Sequence, residues 1–245
     1  MTELIKRLDR LFVKLDHTAL LVEQTLADTL FAVEHGNESD ADVIIQADVN
    51  IDTREVETER ECIRLLALYQ PAAIDLRRIC FVVKANSDLE RIADYCVKMA
   101  KRGQKMKKAN ISMKSFPAFY KLAEQVTATY RKTIQLFTLR SESDSTIIHA
   151  HSVPARDTAQ TIIAADGETD VLFREFLEQT LACEEMFHGR LKTWYELISQ
   201  GRSLERIGDL CTNIAEDAIF MYSGEIVRHD YLAGALQNQS SVRDS

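Results

Sequence analysis

Apolar residues recur every three to four positions along most of this chain. Leu4, Leu8, Leu11, Leu15, Ala19, Val22, Leu26 and Val33 form one such stripe, which predicts a first helix ending near Gly36. Asn37 to Asp40 reads as a turn. A second helix is predicted from about Ala41 to Tyr69, and a third from near Pro71 to near Gly103. Phe119, Leu122, Val126, Ile134 and Phe137 mark a fourth helix after Pro117. Residues 141–155 are polar, contain Ser141, Ser143, Ser145 and Pro154, and read as a loop. A fifth helix is expected from roughly Asp157 to His188 and a sixth from roughly Leu191 to Met221. Residues 236–245 are polar and expected to fray. No alternating β pattern and no Gly-rich phosphate loop breaks the series. The order is three helices, a connector, then three helices.

The second trio copies the first. Residues 89–94 read Leu-Glu-Arg-Ile-Ala-Asp, and residues 204–209 read Leu-Glu-Arg-Ile-Gly-Asp. Upstream, the stretch Ile44 to Asp52 lines up with Ile162 to Asp170. A duplicated unit makes two similar bundles, expected over residues 1–110 and 116–230. The copies keep a set of carboxylates best: Asp48 and Asp52 with Glu90 and Asp94, then Asp166 and Asp170 with Glu205 and Asp209.

Residues four apart share one face of a helix. Asp52 and Glu90 each lie 19 positions from Pro71, and Asp48 and Asp94 each lie 23 from it. If the chain reverses at Pro71, the two pairs return level, roughly 28–35 Å from the bend. In the second half the midpoints fall just before Gly189, a residue suited to the position past a helix end. Each half should therefore bring four acids together on facing helices. Taken alone, such pairs read as ordinary solvated acidic stripes, with Glu90 and Glu205 paired to nearby arginine. Matched in both copies, they point to a cation, because like charges at close range repel. Donors that are nearly all oxygen favour hard divalent or trivalent ions, Mg²⁺, Mn²⁺, Ca²⁺ or iron.

Composition narrows the alternatives. The net charge of −8 argues against nucleic-acid binding, which needs many phosphate-neutralising cations. Met1-Thr2-Glu3 opens directly into an amphipathic helix, with no leader expected, and no apolar run approaches a membrane span. The five cysteines, Cys62, Cys80, Cys96, Cys183 and Cys211, show no CxxC and read as buried thiols in a reducing cytosol. Residues 95–115 carry Lys98, Lys101, Arg102, Lys105, Lys107, Lys108 and Lys114 and no acid. That strip reads as a solvated helix end, or as a docking strip for an acidic partner or membrane surface. Glu185-x-x-His188 has the spacing of di-metal bundles, but it occurs once and falls at the predicted bend, so it is set aside as a ligand pair. A helical-bundle di-metal enzyme is the alternative function; no positioned base or nucleophile supports it.

Gln70 to Ile79, Glu205 to Asp209, Asn213 to Asp217, and Tyr222 to His229 together resemble the PhoU family of phosphate-transport regulators over roughly residues 3–230. The resemblance implies two tandem three-helix bundles, a homodimer, and a cytoplasmic, non-enzymatic regulator of phosphate uptake. It further implies two partners, the ATPase subunit of a phosphate ABC transporter and a phosphate-sensing histidine kinase, and a restraint on starvation signalling when phosphate is plentiful. Metal ions would sit on an E-x3-D-x3-D/N motif. Its positions here are Glu205, Asp209 and Asn213 in the second half, and Glu90, Asp94 and Lys98 in the first. Lys98 departs from the motif, since an ammonium cannot ligate while protonated. The first site is therefore expected to be the weaker one.

Overall fold

A computed structural model describes residues 2–138, 145–224 and 227, with the side chains of 138, 145–152 and 186 outside the description. Its helices are α1 (Glu3–His35), α2 (Glu38–Tyr69), α3 (Ala73–Lys108), α4 (Pro117–Thr138), α5 (Ser145–Ala182) and α6 (Leu191–Ser223). Single 3-10 turns occupy Met113–Ser115 and Glu184–Phe187. No strand occurs among the described residues. The predicted frayed end, residues 236–245, lies outside them.

Helix limits follow local chemistry. Thr2 caps α1 by accepting from the Ile5 N–H at 3.4 Å. Gly36 ends it in the left-handed region at φ 64°, and its N–H donates to the Ala32 carbonyl. A Cβ at Gly36 would stand 2.6 Å from Lys107 Cβ, so both the turn and the close approach require glycine here. α2 begins earlier than the pattern predicted, because Glu38 and Asp40 in its first turn suit the positive end of the helix dipole. It ends at Gln70, left-handed at φ 44°, where the following Pro71 disfavours helical backbone. α3 then starts at Ala73 and continues beyond the expected stop at Gly103. That glycine is a point of contact: a Cβ on it would lie 2.9 Å from Val33 Cα.

The expected loop at 141–155 is corrected from Ser145 onward, where α5 is already helical and contains Pro154. Ala155, Ala159 and Ile162 are buried at three- to four-residue spacing. That packed stripe carries the helix past one missing backbone donor. α5 also stops at Ala182, short of His188, and the second bend is made by the 3-10 turn and Gly189 at φ 74°.

Each half is a three-helix bundle, but the halves are not separate bodies. α3 packs along α6 as extensively as it packs along α1, and α1 also meets α4. One continuous apolar core runs through both, from Leu8, Phe12 and Leu15 to Leu204, Ile207 and Ile214. α3 and α6 run antiparallel, with Arg77 Nε donating to the Met221 carbonyl at 3.2 Å and Arg102 donating to the Ser199 carbonyl at 3.2 Å. Tyr130 of α4 ties the halves again by donating to the Ala19 carbonyl at 2.8 Å. The outer helices α2 and α5 flank this centre and carry half of the acids.

Candidate functional site: two acidic grooves

The two bends bring the matched carboxylates level, as the spacing required. In the groove between α2 and α3, burial and then Asp52 and Asp94 hold the Asp48 carboxyl above its ordinary pKa, opposed by Lys101 and Lys98. Glu90 is raised by burial, then by Asp94, Asp52, Glu55 and Asp48. In the groove between α5 and α6, Asp166 is raised by burial, Asp209 and Asp170, against a hydrogen bond from Thr212. Glu205 is raised by burial and Asp209, opposed by Arg206 and Arg202. Asp209 is raised by burial, opposed by Arg206. Each set of four therefore shares one electrostatic environment. Asp52 and Asp170 stand at the exposed rims.

Both grooves already hold a cation from the chain. Lys98 Nζ lies 2.9 Å from Asp94 Oδ2 and 4.9 Å from the centre of the Tyr95 ring. Arg206 bonds Asp209 Oδ2 at 2.9 Å and approaches Glu205 Oε2 at 3.6 Å. The pairs are about half exposed and individually weak. They hold Asp94 and Asp209 along their own helices. Accordingly, no group of three or more His, Cys, Asp or Glu forms a ready metal cage among the described residues. One buried carboxylate oxygen in each acidic set has no hydrogen-bond partner, Asp48 Oδ1 and Glu205 Oε2, as is also true of Asp16 Oδ1 on α1. Carboxylate oxygens that lack a hydrogen bond, have like-charged neighbours and sit among oxygen-only donors fit a hard cation, although at Glu205 Oε2 the Arg206 guanidinium already stands 3.6 Å away.

Asn213, the neutral member of the second motif, lines a groove of about 310 Å³ at the α3–α6 seam with Asp166, Asp209, Arg206, Arg91 and Tyr95. Its counterpart in the first half is the ammonium of Lys98. The expected pairing of these acids with nearby arginine holds in the second copy, where Arg206 stands by Glu205, and not in the first, where Arg91 pairs with Asp88 instead of Glu90. The pattern of acids did not find a larger cleft of about 640 Å³ where α2, α3 and α6 meet. There Lys84 bonds Asp217 across the halves at 2.9 Å, and Arg91 bonds Asp88 at 3.0 Å.

Two other sequence features resolve. Glu185 lies in the second bend and His188 just after it, both exposed and distant from the acids. The basic strip is largely paired internally. Arg102 and Lys105 clamp the buried Glu196 at 3.4 and 2.6 Å, Lys108 reaches Glu38 at 2.9 Å, and Lys114 reaches Glu34 at 3.1 Å. The strip fastens the end of α3 to α6 and to the α1–α2 turn, while Lys105, Lys108 and Lys114 remain more than half exposed.

The model of the PhoU domain matches the chain twice, at residues 15–103 and 120–218. The chain belongs to the PhoU family. The two matches cover the two helical trios, so the internal repeat is a repeat of that domain. The PhoU-homologue phosphate-specific transport system accessory protein of Zymomonas mobilis is 33% identical over 205 residues, which is 84% of this chain and 80% of that protein. The PhoU accessory protein of Escherichia coli is 28% identical over 210 residues, 85% of this chain and 80% of that protein. The crystal structure of PhoU from Pseudomonas aeruginosa superposes with a TM-score of 0.78 at 27% identity, over 90% of this chain and 99% of that one. Among the described residues no helix is long and apolar enough to cross a membrane.

Proposed function

We propose that this protein is a cytoplasmic, non-enzymatic regulator of phosphate uptake, acting as a homodimer with the ATPase subunit of a phosphate ABC transporter and with a phosphate-sensing histidine kinase. It restrains the phosphate-starvation response when phosphate is plentiful. The observation that carries this reading is the PhoU domain matched in both halves, with the matched acids of each copy level on facing helices. Relatives named as accessory proteins of the phosphate-specific transport system supply the physiological setting.

In this reading Asp48, Asp52, Glu90 and Asp94, and Asp166, Asp170, Glu205, Asp209 and Asn213, hold Mg²⁺, Mn²⁺, Ca²⁺ or iron. Such an ion supplies charge neutralisation and fixed oxygen coordination between two helices. The residues do the remaining work. The carboxylates of α2 and α5 are tied to those of α3 and α6, which sets the register of each hairpin. A regulator without chemistry acts through differential affinity for the states of its partners. Hairpins held in register offer a surface of fixed shape for that discrimination.

Deleting the gene tests the reading. Starvation genes should stay active in phosphate-rich medium in the deletion strain, and the intact gene should restore repression. Normal repression in the deletion strain would sink the regulatory claim.

A further inference from the structure

The two copies of the Leu-Glu-Arg-Ile motif place matched arginines that behave differently. Arg91 turns back along α3 to Asp88 at 3.0 Å. The residue matching Asp88 in the second copy is Ser203, whose hydroxyl already accepts from Arg102 at 2.8 Å. Arg206 finds no acid there, so it turns the other way and enters its own acidic cluster. The first cluster takes its cation from the opposite end of the motif. Lys98 follows Asp94 by one turn, is held by that carboxylate and by the Tyr95 ring, and replaces the oxygen donor that Asn213 provides in the second copy.

These two cations differ in what they leave behind. Lys98 stands at a motif position, so even when it releases Asp94 its charge stays beside the cluster, and Lys101 adds a second ammonium that bears on Asp48. Arg206 is not at a ligand position. Its side chain borders the seam groove, which Tyr95 also lines and which can receive a guanidinium. A divalent ion needs carboxylate oxygens at roughly 2.0–2.6 Å and cannot share Asp209 with a guanidinium bonded to the same oxygen. We infer that Lys98 fills the first acidic cluster permanently, whereas Arg206 is a displaceable gate on the second and moves into the α3–α6 seam when a divalent ion takes its place. This rests on the metal reading of the second cluster and narrows the proposed function: in the parent chain Lys98 stands in for the ion beside Asp48, Asp52, Glu90 and Asp94. Occupancy of the second cluster then changes the charge exposed between the two halves.

Titration calorimetry with Mn²⁺ alone tests this on the full-length chain, with circular dichroism as the fold control. Binding to the parent protein should be lost in Asp209→Asn and kept in Asp94→Asn. Lys98→Asn should add one further binding event, which Asp94→Asn removes again. Arg206→Gln should tighten binding about 1.5- to fivefold, the worth of a half-exposed ion pair. Loss of parental binding in Asp94→Asn, no added event in Lys98→Asn, or weaker binding in Arg206→Gln would each overturn the inference. So would the absence of Mn²⁺ binding from every variant. That last result would also remove metal from the proposed function, while the regulatory role would still be decided by the deletion strain.

Discussion

A thiol surrounded by apolar side chains gives up its proton only at high pH. Burial pushes Cys62, Cys96 and Cys211 up to about 12. Cys96 lies beside Thr29 and Cys211 beside Thr133, so the duplication has preserved a Thr–Cys neighbourhood in both cores. Because the thiolate is the reactive species, these three should resist a thiol reagent in the native protein at pH 8, and all five should react in guanidinium. Free-thiol rates for native Cys96 or Cys211 would contradict this. Cys80 and Cys183 are only partly buried, a distinction that residue type could not supply. Lys98 shows the opposite case. Its departure from the motif is visible in the sequence, because charge is a property of the residue. The direction of Arg206 is not visible, because it depends on which residue stands one turn before it and what already bonds that residue.

Helix contacts depend on small residues at crossing points. Gly201 of α6 faces Phe176 of α5, and a Cβ at 201 would collide with that ring. Replacing glycine by alanine inside a helix gains up to about 1 kcal/mol of propensity. Overpacking a core costs about 1–3 kcal/mol. Phe176 is fully buried and has little room to move. The clash should therefore win, leaving Gly201→Ala about 1–2 kcal/mol less stable by denaturant titration, with Phe176→Leu in the same chain recovering part of the loss. An unchanged midpoint would mean that α5 shifts at no cost. The helices themselves were readable from periodicity. Their ends were less so, because Glu38 and Asp40 act through the helix dipole, Gly103 serves packing, and Pro154 sits inside a helix that its downstream stripe sustains.

For the whole molecule, the extent of the α3–α6 seam matters more than the repeat. Two bundles that share one core should unfold together. Circular dichroism and the fluorescence of the single Trp194 should trace one coincident transition in guanidinium. Two separated transitions would show that the halves are independent. The ties across the seam work in the same direction: Lys84 to Asp217, Arg102 and Lys105 to Glu196, and Tyr130 to Ala19.

The sequence by itself determined the all-α class, the duplication, the family resemblance, and which acids stand level in each hairpin. Those properties follow from local spacing, a rise per residue, and two breakers that reverse the chain. Only the tertiary structure decided the rest. It showed that the halves share a core, because spacing along one helix does not say which outward face meets another bundle. It showed the basic strip paired with Glu196, Glu38 and Glu34, because ion pairs join residues distant in the chain. And it placed a lysine in one acidic groove and an arginine in the other, because the reach of a side chain is settled by the neighbours that folding brings within about 3 Å of it.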